Sequence, residues 1–201
     1  LKLHPLEHPA DCLVRCRDLT VQYGERPVFS GLGFELHAGE RLALTGPNGC
    51  GKSSLLRLVC GGKVPHSGRC DTASGLVVSI LPQTPEEFSG TPMDYAEAYG
   101  VDKSLFLAIL RKLGFERVQF GKPVGVLSAG QRKKLMLARS LCQPAHLYVW
   151  DEPLNYIDVL SRRQIEELIL QYRPTLLFVE HDRAFCSRIA TRTLPVGAAQ
   201  D

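Results

Sequence analysis

In this 201-residue sequence, a glycine-rich segment follows a short apolar run. This pairing limits the folds that the chain can adopt more than any other local pattern. Residues 46–53 read GPNGCGKS and fit the pattern G-x-x-x-x-G-K-[S/T], between a strand predicted at Arg41–Thr45 and a helix predicted at 52–60. Glycines in such a segment let backbone N–H groups turn toward phosphate oxygens, and the positive end of the helix dipole adds to the attraction. The sequence therefore predicts a phosphate-binding loop, and the strand–loop–helix context disfavours a chance glycine turn.

The residue types in this phosphate loop (46–53) suggest a role for each position. Lys52 is predicted to reach the β- and γ-phosphates of a nucleotide, and Ser53 to offer its hydroxyl group to Mg²⁺. We interpret Cys50 as a filler position rather than a redox site. The candidate nucleotide-binding residues of the loop and the helix start are Gly46, Asn48, Gly49, Cys50, Gly51, Lys52, Ser53 and Ser54.

Two adjacent carboxylates follow a second apolar strand, predicted at 146–150. Ligands of α/β sheets bind at the carboxyl ends of the strands, so Asp151 and Glu152 can face the phosphate loop. Asp151 is suited to hold Mg²⁺ through water, and Glu152 to act as the general base on an attacking water molecule. An acidic pair after a strand is also common as a solvated turn, but the nearby phosphate loop favours the catalytic interpretation.

The remaining periodicity predicts an α/β fold whose parallel sheet is covered on both faces. Further strands are predicted at 13–19, 28–36, 76–81, 175–180 and 193–196, and further helices at 129–142, 161–172 and 183–189. Ser128 is predicted to cap the helix at 129–142. Helical spacing from Thr91 to about Leu113 indicates a helical insertion between strands, and 65–68 is predicted to be a loop.

Composition excludes several other classes of protein. No apolar run approaches the ~18 residues that a membrane helix requires, and polar residues interrupt the start, so we expect no signal peptide. The net charge of +3 does not by itself predict nucleic-acid binding. The seven cysteines form no CxxC pair, which indicates reduced, mostly buried thiols in a cytoplasmic protein. A chain that begins with Leu1 instead of Met is expected to be part of a longer one.

Further segments resemble the motifs of ATP-binding cassette (ABC) ATPases, in the order that this family uses. Residues 127–131 (LSAGQ) look like the signature, normally LSGGQ, and 155–158 look like the D-loop. Gln83 resembles the Q-loop glutamine, His181 the switch histidine, and Tyr23 the aromatic residue that stacks on adenine. The resemblance covers nearly the whole chain, so residues 1–201 are predicted to form a single ABC ATPase domain that belongs to a longer two-cassette chain.

This resemblance implies a fold and a set of ligands. The fold is a P-loop NTPase cassette with a mostly parallel core sheet, an antiparallel N-terminal β-subdomain and a helical subdomain at about 88–142. The ligands are ATP and Mg²⁺, with Mg²⁺ held by Ser53, Gln83 and Asp151, partly through water. For Tyr23, a role in packing alone remains an alternative to stacking on adenine.

The resemblance also implies roles in catalysis and in pairing with a second cassette, either on the same full-length chain or in a homodimer. The implied catalytic residues are Glu152, His181 and Gln83. The signature residues that would close over the γ-phosphate held by the second cassette are Ser128, Ala129, Gly130 and Gln131, with Asp158 in the D-loop. Ala129 replaces the usual glycine, so a methyl group slightly crowds that approach.

Two stretches are similar to the ABC-F subfamily: 151–158 (DEPLNYID) and 178–185 (FVEHDRAF). The second cassette of ribosomal-protection proteins is similar to the longer run 154–168 and to 138–142 before it. These proteins relieve inhibition by antibiotics that act on the large ribosomal subunit. That family joins two cassettes by a helical linker, so a first cassette and a linker are expected upstream. Candidate contacts to ribosomal RNA are Arg132, Lys133, Lys134, Arg162 and Arg163, although a solvated helix face is the favoured interpretation of such a cluster.

Three functions are therefore open at the level of sequence. The first is an ATP-hydrolysing clamp that acts on the ribosome in the cytoplasm and confers antibiotic resistance. The second is the motor subunit of a membrane transporter, with the membrane helices on another chain. The third is a nucleotide-gated interaction module with little turnover alone.

Overall fold

Two β-sheets and the helices that cover them organise the chain in the computed structural model. The structure describes residues 3–197, with Arg26 described by its backbone alone. Leu1, on which the expectation of a longer chain depends, lies outside the described residues, and so does the predicted domain end at Asp201. The helical subdomain predicted at about 88–142 falls within them.

Except for one strand that the hydrophobic periodicity misses, strands and helices occur in the order that it predicts. The strands are β1 (Cys12–Tyr23), β2 (Arg26–His37), β3 (Arg41–Thr45), β4 (His66–Thr72), β5 (Val78–Leu81), β6 (Leu147–Asp151), β7 (Leu176–Val179) and β8 (Arg192–Pro195). The α-helices are α1 (Lys52–Val59), α2 (Pro92–Ala98), α3 (Lys103–Lys112), α4 (Ala129–Cys142), α5 (Val159–Tyr172) and α6 (Arg183–Ile189). Two short 3₁₀ helices, Arg117–Gly121 and Val124–Val126, precede α4.

The larger sheet has the strand order β5-β6-β7-β3-β8, and every pairing in it is parallel. The three central strands, β6, β7 and β3, are buried on both faces because alternate side chains enter two different hydrophobic cores. In β6, Tyr148 and Trp150 face the core that contains α3, α4 and α5, whereas Leu147 and Val149 face the core that contains α1, β1 and β2. This alternation explains why β6 reads as a continuous apolar run in the sequence.

The smaller sheet is antiparallel, with the order β2-β1-β4, and it forms the N-terminal subdomain that the family resemblance implies. The prediction of a loop at 65–68 is wrong, since His66 begins β4, which pairs with β1. Side chains of β4 are mostly exposed, so the strand has no apolar alternation by which sequence could identify it. Pairing with β1 decides its conformation.

The helical stretch between β5 and β6 contains two breaks that end one helix and begin the next. Helix α2 ends before Gly100, whose φ of 62° lies in the left-handed region, and the Asp102 carboxylate caps α3. Ser128 caps α4, as predicted, with its Oγ accepting from the backbone N–H of Gln131 at 3.2 Å.

Within 3–197, no helix has the length and apolar character that crossing a membrane requires.

The strand order places three loops at one edge of the parallel sheet. Strands β6, β7 and β3 are neighbours and run in the same direction, so their carboxyl ends lie side by side. The phosphate loop follows β3, Glu152 follows β6, and His181 comes two residues after β7. Segments more than 100 residues apart in sequence therefore meet at this edge.

We expect Leu110→Ala to lower the free energy of unfolding by about 2–5 kcal/mol, because its side chain is fully buried in the core between α3 and α4. Val118→Ala is the matched control, since Val118 is 63% exposed and should change stability by about 0.5 kcal/mol or less. Urea titration of both variants measures the difference. Similar effects of the two substitutions would contradict this packing.

Candidate active site

The phosphate loop adopts a conformation that requires glycine at two positions. Gly46 and Gly51 have φ angles of 138° and 95°, in the region that side chains disfavour. A Cβ atom at Gly51 would lie 2.7 Å from the Phe29 ring and 2.8 Å from Val28, and one at Gly46 would overlap the Val196 carbonyl. The loop can therefore approach a ligand with its backbone, as the sequence pattern predicts.

Helix α1, which follows this loop, has no side-chain cap, unlike the other five α-helices within 3–197. Those five are capped by Thr91, Asp102, Ser128, Asp158 and Asp182. The N-cap of α1 is Gly51, which has no side chain to accept from the first-turn amides. The start of α1 can therefore donate hydrogen bonds to an anion, with the helix dipole in its favour.

Lys52 is 8% exposed, and its ammonium group lies folded against the phosphate loop. Its Nζ donates to the carbonyl oxygens of Gly46 and Pro47, at 2.8 Å each. Cys50 is buried among apolar side chains behind the loop, and its sulfur lies 3.8 Å from Lys52 Nζ. Cys50 therefore contributes backbone and packing, in keeping with its interpretation as a filler position.

Asp151 ends β6 as a largely buried carboxylate, 7% exposed. Its Oδ1 atom is buried and has no hydrogen-bond partner among the described residues. Burial raises the pKa of Asp151, and contact with the Ser53 hydroxyl and the charges of Lys133 and Lys52 oppose that rise. A buried, unpaired carboxylate oxygen beside a serine hydroxyl fits the oxygen ligands that Mg²⁺ prefers, directly or through water.

Glu152 follows with a φ of 49°, a left-handed conformation that is uncommon outside glycine. Its Oε1 lies 3.2 Å from His181 Nε2, and its Oε2 accepts a hydrogen bond from Asn155. Partial burial raises the pKa of Glu152, but the neighbouring polar groups of Gln83, Asn155 and His181 outweigh it and lower the pKa overall. Glu152 is therefore ionised near neutral pH and able to accept a proton.

Glu180 joins the ends of β6 and β7 and holds the loops that carry these groups. One oxygen of its carboxylate accepts from the backbone N–H of Leu154 at 3.1 Å, and the other from that of His181 at 2.7 Å. Glu180 is not among the site residues that the sequence predicts. The signal that could have identified Glu180 as a site residue is its position directly before His181. Its contact with Leu154 depends on the fold.

A cleft of about 620 Å³ lies beside the phosphate loop, and its volume is within the usual size range of ligand pockets. The predicted site residues along it are Tyr23, Asn48, Gly49, Gly51, Lys52, Ser53, Ser54, Gln83, Glu152 and His181. Tyr23 is half-exposed at the mouth, and its hydroxyl lies 3.1 Å from Ser54 Oγ. Ser53 and Gln83 also line an adjoining cavity together with Asp151. The fold therefore brings phosphate loop, acidic pair, glutamine and histidine together.

The signature residues lie apart from this cleft, since none of residues 128–131 is among those that line it within the described chain. Ser128 and Gln131 form the capping box of α4. A Cβ atom at Gly130 would lie 3.1 Å from Tyr156 in the D-loop, so signature and D-loop are in close contact. Asp158 caps α5, and the Ser161 backbone N–H, with Lys134 in support, lowers the pKa of Asp158 to about 2.

Lys133 is the one candidate RNA contact that the structure contradicts, because it is only 1% exposed. Its Nζ donates to the carbonyl oxygens of Pro82 at 3.0 Å, Gln83 at 3.5 Å and Asp151 at 2.9 Å. Burial lowers the pKa of Lys133 to about 8, against the charges of Asp151, Glu152 and Glu180. Lys133 therefore links α4 to the Gln83 segment and to the end of β6, a role that a basic run in sequence does not reveal.

The other four basic residues of that cluster have acidic or buried surroundings. Lys134 pairs with Asp158, Arg162 with Asp182 and Glu166, and Arg163 with Glu167. Arg132 is half-buried, with a buried Nε. Arg163 is the most exposed of them, so the cluster is not a continuous basic face.

We expect Lys133→Ala to lower the free energy of unfolding by about 2–4 kcal/mol, because three carbonyl oxygens in a buried region lose their donor. Arg163→Ala, which removes an exposed pair on a helix surface, should change it by about 0.5 kcal/mol or less. Denaturant titration compares the two variants. A loss for Lys133→Ala no larger than for Arg163→Ala would refute the linking role.

Comparison with known proteins gives both a family and a fold. The family described as "ABC transporter" matches residues 29–155. Among solved structures, an ATP-binding subunit of an ABC transporter superposes with a TM-score of 0.76 at 24% identity, over 92% of this chain and 85% of that one. At this identity the likeness shows the fold alone.

Curated relatives are similar over nearly the whole of this chain. The ribosome protection protein VmlR of Bacillus subtilis is 31% identical over 90% of this chain and 33% of its own length. The translational throttle protein EttA of Haemophilus influenzae is 30% identical over 93% of this chain and 35% of its own. ABC transporter F family member 2 of Arabidopsis thaliana is 29% identical over 92% and 28%. The chain spans about a third of the length of these relatives.

Proposed function

Because the chain belongs to the ABC transporter family, and within it to the F branch, we propose that it binds ATP with Mg²⁺ and hydrolyses the nucleotide in the cleft beside the phosphate loop. The observation that carries this proposal is the cleft itself, where an uncapped helix start and the Glu152–His181 pair face the same space. The start of α1 supplies hydrogen-bond donors for phosphate, and the Glu152–His181 pair supplies a proton acceptor that is held in place.

Binding in this proposal uses groups that are already oriented toward the cleft. Lys52 exchanges its bonds to the carbonyls of Gly46 and Pro47 for bonds to phosphate oxygens, while the first-turn amides of α1 donate to the same oxygens. Ser53, Asp151 and Gln83 are the residues that would hold Mg²⁺. The metal supplies charge neutralisation of the phosphate oxygens. Tyr23 offers a half-exposed ring for the base.

Proton transfer is assigned to Glu152. Its low pKa keeps the carboxylate ionised, so it can take a proton from the attacking water. His181 contacts Oε1 of Glu152, and Asn155 contacts Oε2, so the carboxylate is held at both oxygens. Glu180 in turn holds the backbone of His181.

We assign the signature to a second cassette's nucleotide. Residues 128–131 do not line the cleft of their own chain, which is the arrangement expected if they act across an interface. Four large apolar side chains near the signature and D-loop are strongly exposed: Val126, Tyr156, Val159 and Leu160. Contact with a second cassette would cover this apolar surface. The ATP site would then be composite, with each cassette contributing one half.

The ribosome is the proposed partner of the complete protein. By their names, VmlR is a ribosome protection protein and EttA a translational throttle protein, and both are about 30% identical to this chain. In this proposal, ATP closes two cassettes into a clamp on the ribosome in the cytoplasm, and hydrolysis opens it. Protection from an antibiotic is the consequence that we propose from the resemblance of residues 154–168 to ribosomal-protection proteins.

Glu152→Gln is expected to keep nucleotide binding and abolish hydrolysis, because the phosphate and Mg²⁺ contacts persist without the base. Lys52→Ala is expected to weaken binding of a fluorescent ATP analogue at least about 10-fold, since a charge-assisted contact to phosphate is lost. Equilibrium fluorescence titration and phosphate release measure the two effects. Lys103→Ala is the control, as this exposed lysine pairs with Glu97 far from the cleft. Parental hydrolysis by Glu152→Gln would show that the base assignment is wrong.

The clamp proposal predicts that the Glu152→Gln protein sediments with ribosomes through a sucrose cushion in ATP and much less in ADP. ATP closes the site in this variant but cannot be cleaved there, so the bound state should accumulate. Lys52→Ala is the control that should not respond to ATP. If the Glu152→Gln protein binds ATP but does not sediment with ribosomes, the ribosomal part of the proposal fails and the nucleotide site stands.

A further inference from the structure

Two cysteines lie directly opposite each other on the neighbouring strands of the antiparallel sheet. Cys16 of β1 is the register partner of Cys70 of β4, and their sulfur atoms are 3.0 Å apart. A disulfide bond is about 2.05 Å long, so the two sulfur atoms need to approach by only about 1 Å. Directly opposed residues of antiparallel strands have Cβ atoms about 4.5–5.5 Å apart, close to the range that a disulfide requires.

The two thiols differ in accessibility. Cys16 is 2% exposed and belongs to the core beneath the sheet, whereas Cys70 is half-buried at the sheet edge, since β4 pairs only with β1 among the described strands. A small reagent can therefore reach Cys70 first, and Cys16 then lies within contact distance of the modified sulfur.

The direct contact between the thiols also divides their reactivity. The hydrogen bond from Cys16 lowers the pKa of the Cys70 thiol, although its partial burial opposes this. The same contact, together with burial, raises the pKa of Cys16. Because the thiolate is the nucleophile, Cys70 is suited to attack and Cys16 to resolve.

We propose that Cys16 and Cys70 form a reversible modification site, a thiol pair that a low-molecular-weight disulfide such as oxidised glutathione converts into a cross-strand disulfide. This site is separate from the nucleotide cleft and does not depend on the proposed function. None of the other five cysteines contacts a second sulfur atom within residues 3–197.

The reaction proceeds by two exchanges. The Cys70 thiolate attacks one sulfur of the small disulfide, so that a mixed disulfide forms on Cys70 and one small thiolate leaves. Cys16 then attacks the Cys70 sulfur and expels the second small thiolate, which takes up the proton of Cys16 and leaves as a thiol. The two protein thiols are oxidised, and one small disulfide is reduced to two thiols, so electrons and atoms balance.

The bond would join β1 to β4 and close a loop of considerable length. The two residues are 54 positions apart, and β2, β3, the phosphate loop and α1 all lie between them. Cross-linking a loop of this size restricts the unfolded chain, so the oxidised protein should unfold at a temperature about 5–15 °C higher than the reduced one.

The test is treatment with oxidised glutathione followed by tryptic digestion without reduction. Cleavage after Arg15, Arg17, Arg69 and Lys103 should release the dipeptide Cys16–Arg17 linked to peptide 70–103, and mass spectrometry identifies it. Cys16→Ser should retain glutathione on Cys70, because the resolving thiol is missing. Cys70→Ser should leave Cys16 unmodified, because that thiol is buried.

Cys12→Ser is the matched control, since Cys12 lies on the same strand with His37 as its register partner, and it should still yield the linked peptide. The inference is overturned if Cys70 stays unmodified at a concentration that modifies Cys12, or if Cys70 links to a different cysteine. It is also overturned if the oxidised protein unfolds at a lower temperature than the reduced one, because the bond would then distort the native strands.

Discussion

The parallel ladders that join β6, β7 and β3 are the constraint on which the other features of the site depend. They run in one direction, so the segments after their carboxyl ends are held at one edge with separations set by strand spacing. The phosphate loop, Glu152 and His181 occupy this edge. Burial of the strands on both faces makes the edge rigid, which allows loops to carry chemistry on it.

Buried charge is concentrated directly beneath this edge. Asp151 keeps one buried oxygen without a partner, Lys133 has its ammonium group within reach of three carbonyls, and Glu180 holds two backbone amides. A buried charge without a partner is costly, and a cation bound at the unpaired oxygen of Asp151 would remove that cost. The Lys133 contacts also tie α4, which begins at the signature, to the Gln83 segment, so the two halves of the proposed composite site share one buried donor.

Local signals in the sequence predicted most elements, and their failures have physical causes. Ser128 and the bounds of α4 were predicted correctly because a capping box and a helix stop are local chemistry. Strand β4 was missed because its exposed side chains have no period, and only hydrogen bonds to β1 extend it. Lys133 was grouped with solvated bases because a run of basic residues does not tell which one faces inward. The cysteines were expected to be mostly buried, but only Cys16, Cys50 and Cys142 are, and four are half-buried.

Three features follow from local sequence, because each depends on neighbours within a few residues: the glycine pattern of the phosphate loop, the acidic pair after a buried strand, and the alternation of strands and helices. Which groups face one another across long separations depends on the packing of the whole fold. This packing brought Glu152 to His181, buried Lys133 against Asp151, and set Cys16 opposite Cys70. These contacts follow from strand order and register, which are properties of the packed sheets and are not encoded in any single segment.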